Sequence, residues 1–429
     1  MTIMKTLYTG VAGLSAHGKA LGVVGDNIAN VNTTGYKAER AIFSDLLGRS
    51  MMAVDLPGSG VQMNKITRTF AQGTLLTTDS ATDLAINGQG FFIVNGTMNG
   101  QNGDFYTRAG SFSLDTDGNL VNPNGMILQG YLTDSTGAID NQLTDLQIAN
   151  SVLPPRASTT ADLATNLDST ETVPLAFDPT APGTTSNFST ALTVYDSLGN
   201  SHRVDVYFRK SAANTWEWHA LVDGGDLTGG TAGVAQECAA GTLGFTTDGY
   251  LDTETITTAS DFDFVGATQN QAIAFDFGDS ITTDGGTGMN GTTQYSSSST
   301  IRSQDQDGFS TGELSSVGVL SNGDVMAVYS NGENRRVGQV ALATFAAEGE
   351  LARAGDTLWA TTENSGEARV GAASTGSAGA ITANALEQST VDLASEFVNL
   401  IAYERGFQAN SRTITTADDL YQEVVNLKR

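Results

Sequence analysis

The sequence predicts a multi-domain, mainly β protein whose outer β domains are nested, as discontinuous segments, between α-helical coiled-coil termini. Three observations lead there. Leu7, Leu14, Leu21 and Ile28 stand seven apart at one end, and Leu386, Leu393, Leu400, Phe407, Ile414 and Tyr421 stand seven apart at the other. That repeat is the seam of a helix packed on a helix. Between the ends, apolar and polar residues alternate in short runs broken by Asn-Gly and Asp-Gly, the pattern of strands and tight turns. Five of the seven prolines fall between Pro154 and Pro182, which separates an inserted segment from its surroundings.

Met4 and Val11 extend the first seam. Gly18 and Gly25 hold seam positions without side chains, and Gly10, Gly13 and Gly22 also lie inside the pattern. Each glycine costs about 1 kcal/mol against alanine, so this helix is weak alone and close-packed when docked. The stretch Asn27–Lys37, NIANVNTTGYK, ends it. Asn27, Asn30 and Asn32 suit helix capping and left-handed backbone, and Gly35 suits a turn. Thr33 and Thr34 precede that turn, and Tyr36 and Lys37 begin the passage toward the outer domains.

At the other end, Asn384 with Glu387 three residues on reads as an N-cap and capping box. The pattern then runs about 40 residues, with Phe397, Ile401, Val424 and Leu427 widening the stripe and Gly406 expected to kink it. In the middle, 83–96, 105–134 and 317–346 read as strands, with turns at Asp117-Gly118, Asn124-Gly125, Asn322-Gly323 and Asn331-Gly332. A type I′ turn is expected in DTDGN (115–119). The expected domains are residues 1–30 with 384–429 as a helical core, 31–71 as a connecting segment, 72–146 with 306–383 as an outer β domain, and 147–305 as an inserted distal β domain.

The 429 residues carry a net charge of −26. Residues 1–50 are at +2 and 381–429 at −3, so the acid lies in the middle. Phosphate-rich nucleic acid and anionic membranes are poor partners for such a surface. No apolar run approaches the roughly 20 residues of a membrane span. The start loosely mimics a signal peptide behind Lys5, but its helical period continues past any cleavage point. The lone Cys238 reads as a small buried hydrophobe.

Catalytic signatures fail one by one. GLSAHGKA (13–20) has Ala20 where a P-loop needs Ser or Thr, and no strand precedes it. GTGMNG (286–291) opens no helix. GFSTG (308–312) has no histidine after Ser310, since His17, His202 and His219 all come earlier. The histidines lack ligand spacing. DTDGN lacks the distal glutamate of a calcium loop. No enzyme activity, cofactor or metal is expected.

NIANVNTTGYK, DLAINGQGFFIV, YTRAGSFSLDTDGNLVNPNGMILQGY and the C-terminal ALEQSTVDLASEFVNLIAYERGFQANSRTITTADDLYQEVVNL together resemble the bacterial flagellar axial proteins of rod and hook. YDSLGNSHRVDVYFRK and WEWHALVDG resemble the outer domain of the hook members of that family. The resemblance implies a structural subunit that polymerises with itself into a curved, flexible, hollow tube, a universal joint passing torque from motor rod to filament. It implies terminal helices that line the tube and are disordered in the monomer, a connecting region touching neighbouring subunits, and an extracellular place in the flagellum reached by type III export with an uncleaved N-terminus. It implies the distal rod protein, hook cap protein, hook-filament junction protein, hook-length control protein and export apparatus as partners. The assembly residues are then Met4, Leu7, Val11, Leu14, Leu21, Ile28, Leu386, Leu393, Phe397, Leu400, Phe407, Ile414, Tyr421 and Val424, and the connecting motif is Asn27, Asn30, Asn32, Thr33, Thr34, Gly35, Tyr36 and Lys37. A distal-rod protein, a secreted acidic β-rich adhesin and a glycan-acting enzyme are the alternatives. Straight assemblies, calcium-dependent stability and glycan turnover would respectively favour them.

Overall fold

The computed structural model describes residues 2–46, 58–134, 137–148 and 152–426. It divides into two compact units, Met1–Ser151 with Ser315–Val328 and Asn334–Arg429, and Val152–Leu314 with Tyr329–Glu333. Part of the expected connecting segment, 47–57, lies outside the described residues, as does Leu427.

The first unit is built on an antiparallel sheet. Strand Phe91–Met98 pairs with Gln101–Thr107 on one side and, on the other, with Ile127–Thr133 and Asn334–Thr344. Phe91, Phe92, Ile93 and Val94 are all buried, so this strand reads as an apolar run rather than an alternation. Phe91, Ile93, Tyr106, Ala341, Ala343, Phe345, Leu351 and Trp359 form one core cluster of the unit. Two short C-terminal strands close back onto early ones. Ala380–Ala383 pairs with Leu84–Asn87, and Ala385–Glu387 pairs with Leu75–Thr77.

Turn type departs from expectation at 115–119. Gly118 N donates to the Asp115 carbonyl (3.2 Å), and among these residues only Gly118 has a positive φ, 83°. The turn is therefore type I followed by a left-handed glycine. The cause is Asp115, whose carboxylate accepts from Asp117 N (2.9 Å) and Asn119 N (2.7 Å) and holds the middle of the turn right-handed. Asn122 does the same before Gly125. The φ > 0 pair of a type I′ turn occurs instead at Asn99-Gly100, between Met98 and Gln101.

The second unit has a five-stranded antiparallel meander in sequence order, Phe188–Tyr195, Ser201–Ala212, Thr215–Asp223, Ala235–Phe245 and Leu251–Thr258. Along Ser201–Ala212 the inward residues are His202, Val204, Val206, Phe208 and Lys210. A second sheet is centred on Thr160–Asp168, parallel to Ala274–Asp276 and Thr293–Tyr295 and antiparallel to Thr300–Gln306. Phe208, Trp216, Trp218, Phe262, Phe264, Phe275 and Phe277 belong to its core. Cys238 is buried there, and burial pushes its thiol up to about 11, out of reach of ordinary thiolate chemistry.

Glu254 is the exception to this apolar packing. It lines a hollow of about 300 Å³ with Trp218, Ile256, Phe275 and Phe277. Burial, with Asp276 and Asp284 nearby, pushes its carboxyl up to about 7. The folded state then holds this proton up to about pH 7, while the unfolded chain releases it near 4.5. Stability falls as pH rises through that window. Glu254→Gln is expected to raise the melting temperature of this unit at pH 8 by about 2–4 °C, the equivalent of about 1 kcal/mol, and to change it little at pH 4. Calorimetry at both pH values checks this, and an equal gain at pH 4 would count against it.

Candidate assembly surface

The first terminal helix, α1, spans Thr2–Ala29, and the second, α2, spans Leu393–Asn426. They lie antiparallel. A Cβ on Gly10 would stand 2.8 Å from Ile414 Cγ1, and one on Gly13 would stand 2.4 Å from Asn410 Oδ1. Gly10 and Gly13 are thus what lets α2 approach, whereas Gly22 and Gly25, also expected to be close-packed, face open space. Gly406 lies inside a continuous helix, and its missing side chain leaves room for the His17 ring. His17, Phe43 and Tyr403 form a ring triangle with centroids 5.6–6.1 Å apart, tying both helices to strand Glu39–Asp45.

The face of α1 that packs within the chain carries small residues, Gly10, Gly13, Ala16 and Ala20, followed by Val23, Val24 and Asn27. The leucine row flanks it, with Leu7, Leu14, Leu21 and Ile28 half-buried. Met4, Tyr8 and Val11 stay 52–70% exposed. On α2, Leu400, Phe407 and Ile414 are half-buried, while Leu393, Phe397, Val398, Ile401, Leu420, Tyr421 and Val425 are 39–66% exposed. The Val424 side chain lies outside the described residues. Tyr8, Val398, Leu420 and Val425 share this exposed apolar character without belonging to the heptad count.

The start of the C-terminal helix corrects the expectation. Asn384 has φ +54° and caps nothing, and Leu386 sits in strand Ala385–Glu387 opposite Leu76. The helix begins nine residues later. Its cap is Asp392, whose carboxylate accepts from Ala394 N (3.1 Å) and the Ser395 hydroxyl (2.7 Å). Glu387 is not a capping-box residue because its carboxylate is committed elsewhere.

That commitment joins it to the connecting motif. Lys37 Nζ donates to Glu387 Oε1 (2.7 Å) and to the Ala71 carbonyl (2.7 Å). Gly73 N donates to the same Oε1 (2.7 Å), and Arg108 stands 3.5 Å from Oε2. Gly35 N donates to the Glu387 carbonyl (2.8 Å). The Lys37 and Glu387 side chains are fully buried and Arg108 nearly so. Burial pushes the Lys37 ammonium down, and Glu387 opposes that shift. Lys37 therefore turns inward, contrary to the passage outward expected of it.

The rest of the motif is equally bonded. Asn27, wholly buried, donates from Nδ2 to the Glu39 carbonyl (2.7 Å), and its Oδ1 accepts from Glu39 N (2.9 Å) and the Tyr36 hydroxyl (3.3 Å). Its amide acts as a strand neighbour for Glu39. Asn30 Nδ2 caps the Asp26 carbonyl (2.8 Å), and Asn30 Oδ1 accepts from Thr33 (3.0 Å). Asn32 is exposed and Thr34 half-buried. Left-handed backbone, expected of the asparagines, is confined here to Gly35, at φ +69°. Arg108 was not singled out by sequence, and Glu387 was read only as a capping-box residue; no local pattern marks a charge pair 279 residues apart.

Long helices docked through small residues, with apolar side chains left in water and a bonded tie to a β-rich unit, mark a structural protein with an interaction surface on its paired helices. Four family models match: flagella basal body rod protein at 7–37, the flagellar hook protein FlgE/F/G D1 domain at 85–151, the flagellar basal body protein FlaE D2 domain at 166–309, and the flagellar basal body rod FlgEFG protein C-terminal at 382–427. The chain is 36% identical to the flagellar hook protein FlgE of Salmonella typhimurium, over 97% of this chain and 98% of that one. It is 34% identical to the hook protein of Borreliella burgdorferi, over 99% and 100%. The crystal structure of Helicobacter pylori flagellar hook protein FlgE2 shares the fold at a TM-score of 0.52 and 15% identity, over 73% of this chain and all of that one. The chain belongs to the flagellar hook protein family, a family of structural proteins rather than of enzymes. It is a structural subunit of the bacterial flagellar hook.

Proposed function

We propose that this chain polymerises through α1 and α2 into a curved, flexible, hollow tube, with the β units outside, which couples the motor rod to the filament as a universal joint. The observation that carries this reading is the apolar surface left wet on the paired helices. Burying one such side chain contributes about 1.5–3 kcal/mol. The ten exposed apolar side chains named above each keep part of that gain for neighbouring copies, and together they oppose the cost of ordering. In the tube, paired helices of neighbouring copies form the inner coiled-coil layer, and the accessible part of the connecting motif, Asn30 to Thr34, meets neighbouring copies. The second unit carries 22 acidic and five basic residues, a solvated surface whose water-bridged contacts exchange as subunits shift during bending. The distal rod, cap, junction and length-control proteins are its expected partners, and type III export with a retained N-terminus is its expected route.

Negative-stain electron microscopy of the concentrated full chain is expected to show curved hollow tubes. Straight tubes would favour the distal-rod reading, and persistent monomers at high concentration would sink both.

A further inference from the structure

The terminal helices must leave the β unit in a set direction if their apolar faces are to meet those of other copies. Glu387 is where both exits converge. Its carboxylate holds Lys37 and Gly73 N, with Arg108 3.5 Å away, and its carbonyl holds Gly35 N. Gly35 and Lys37 lie just beyond the end of α1, and Glu387 lies six residues before Leu393 opens α2. Thr390 adds a second tie in the same place, its hydroxyl accepting from Ala38 N (2.9 Å) and its N–H donating to the Tyr36 carbonyl (3.1 Å).

A buried carboxylate with charged and backbone donors is costly to desolvate and demanding in geometry. An apolar residue would fill the same space without such demands. We propose that Glu387 is a positioning residue for assembly: through Lys37 and Gly35 it welds the exit of α1 to the approach of α2, so that the helix pair is presented in one orientation. The inference rests on the assembly reading above. It makes the connection between helices and β unit a rigid joint, and places bending compliance elsewhere.

The test compares full-length variants by melting temperature and by the critical concentration for tube formation. Glu387→Gln leaves two buried cations facing a neutral amide, and is expected to lower the melting temperature and raise the critical concentration at least tenfold. The double variant Lys37→Met, Glu387→Gln removes one cation, while Arg108 keeps the Gly88 carbonyl (2.9 Å), the Phe91 ring and the charge of Glu348. It is expected to recover most of the melting temperature but not the critical concentration. Glu387→Asp keeps the charge on a shorter arm and is expected to fall between wild type and Glu387→Gln in assembly. Leu342→Ala, a core truncation at a buried position in the large sheet of the same unit, is the control for stability alone and is expected to assemble normally below its melting temperature.

Wild-type assembly by the double variant or by Glu387→Asp would overturn the proposal. So would a Glu387→Gln defect no larger than that of Leu342→Ala at matched stability. Failure of the wild-type chain to form tubes would instead strike the assembly reading itself.

Discussion

A chain lacking residues 1–24 is expected to remain a soluble, β-rich monomer and to form no tubes at any attainable concentration. The truncation takes away Met4, Leu7, Tyr8, Val11, Leu14 and Leu21 and, with them, the glycine face on which α2 rests. At about 1.5–3 kcal/mol per buried large side chain, the loss exceeds what α2 alone can replace. α2 itself, without a partner, is expected to fray, because most of the stability of a helix comes from its packed face. The β units should survive because Asn27, which bonds both main-chain groups of Glu39, is retained. Circular dichroism, sedimentation and electron microscopy together check the result. Tubes from the truncated chain would refute the role given to α1.

The second large effect is expected at Gly35. Its φ of +69° strains any β-branched residue, and a Cβ there would stand 2.5 Å from Ala109 N and 2.7 Å from Arg108 C, which are backbone atoms that cannot step aside. Gly35→Val is expected to cost about 3 kcal/mol or more, from strain and overpacking together. For a unit of this size that is a melting decrease of about 6–12 °C. The loss belongs to the unit containing Lys37 and Glu387, so a calorimetric scan should show that transition move while the transition of the Val152–Leu314 unit stays in place. An unchanged scan would mean that the motif is a loose linker rather than a tie.

Much of the architecture is legible in the residues. Long terminal helices, the apolar strand at 91–94 and the alternating strand at 201–210 all follow from periodicity, because one buried face or two leaves a direct trace in sequence. The errors have two causes, one distant and one local. Leu386 continues the heptad count, yet Glu387 beside it must lie extended to reach Lys37, 350 residues away. A count along the chain cannot register a partner at that distance. Turn type failed for a nearer reason. The Asp-Gly dipeptide at 117–118 marks the bend, but the residue that decides its hand is Asp115, three places before the glycine. The leucine row was legible as apolar and the glycines as a sign of close packing, but which of them α2 touches, Gly10 and Gly13 with Ala16 and Ala20 beside them, is not written in the heptad count.

The pairing of 75–87 with 380–387 also sets an order of events. A polypeptide delivered amino end first can complete the meander at 188–258 while its last third is still to come. The sheet that carries Glu387 has no such freedom, since contacts spanning some 300 residues wait for almost the whole molecule. The chain thus contains its own timer, under which a half-delivered copy cannot yet close the strand pair that carries Glu387.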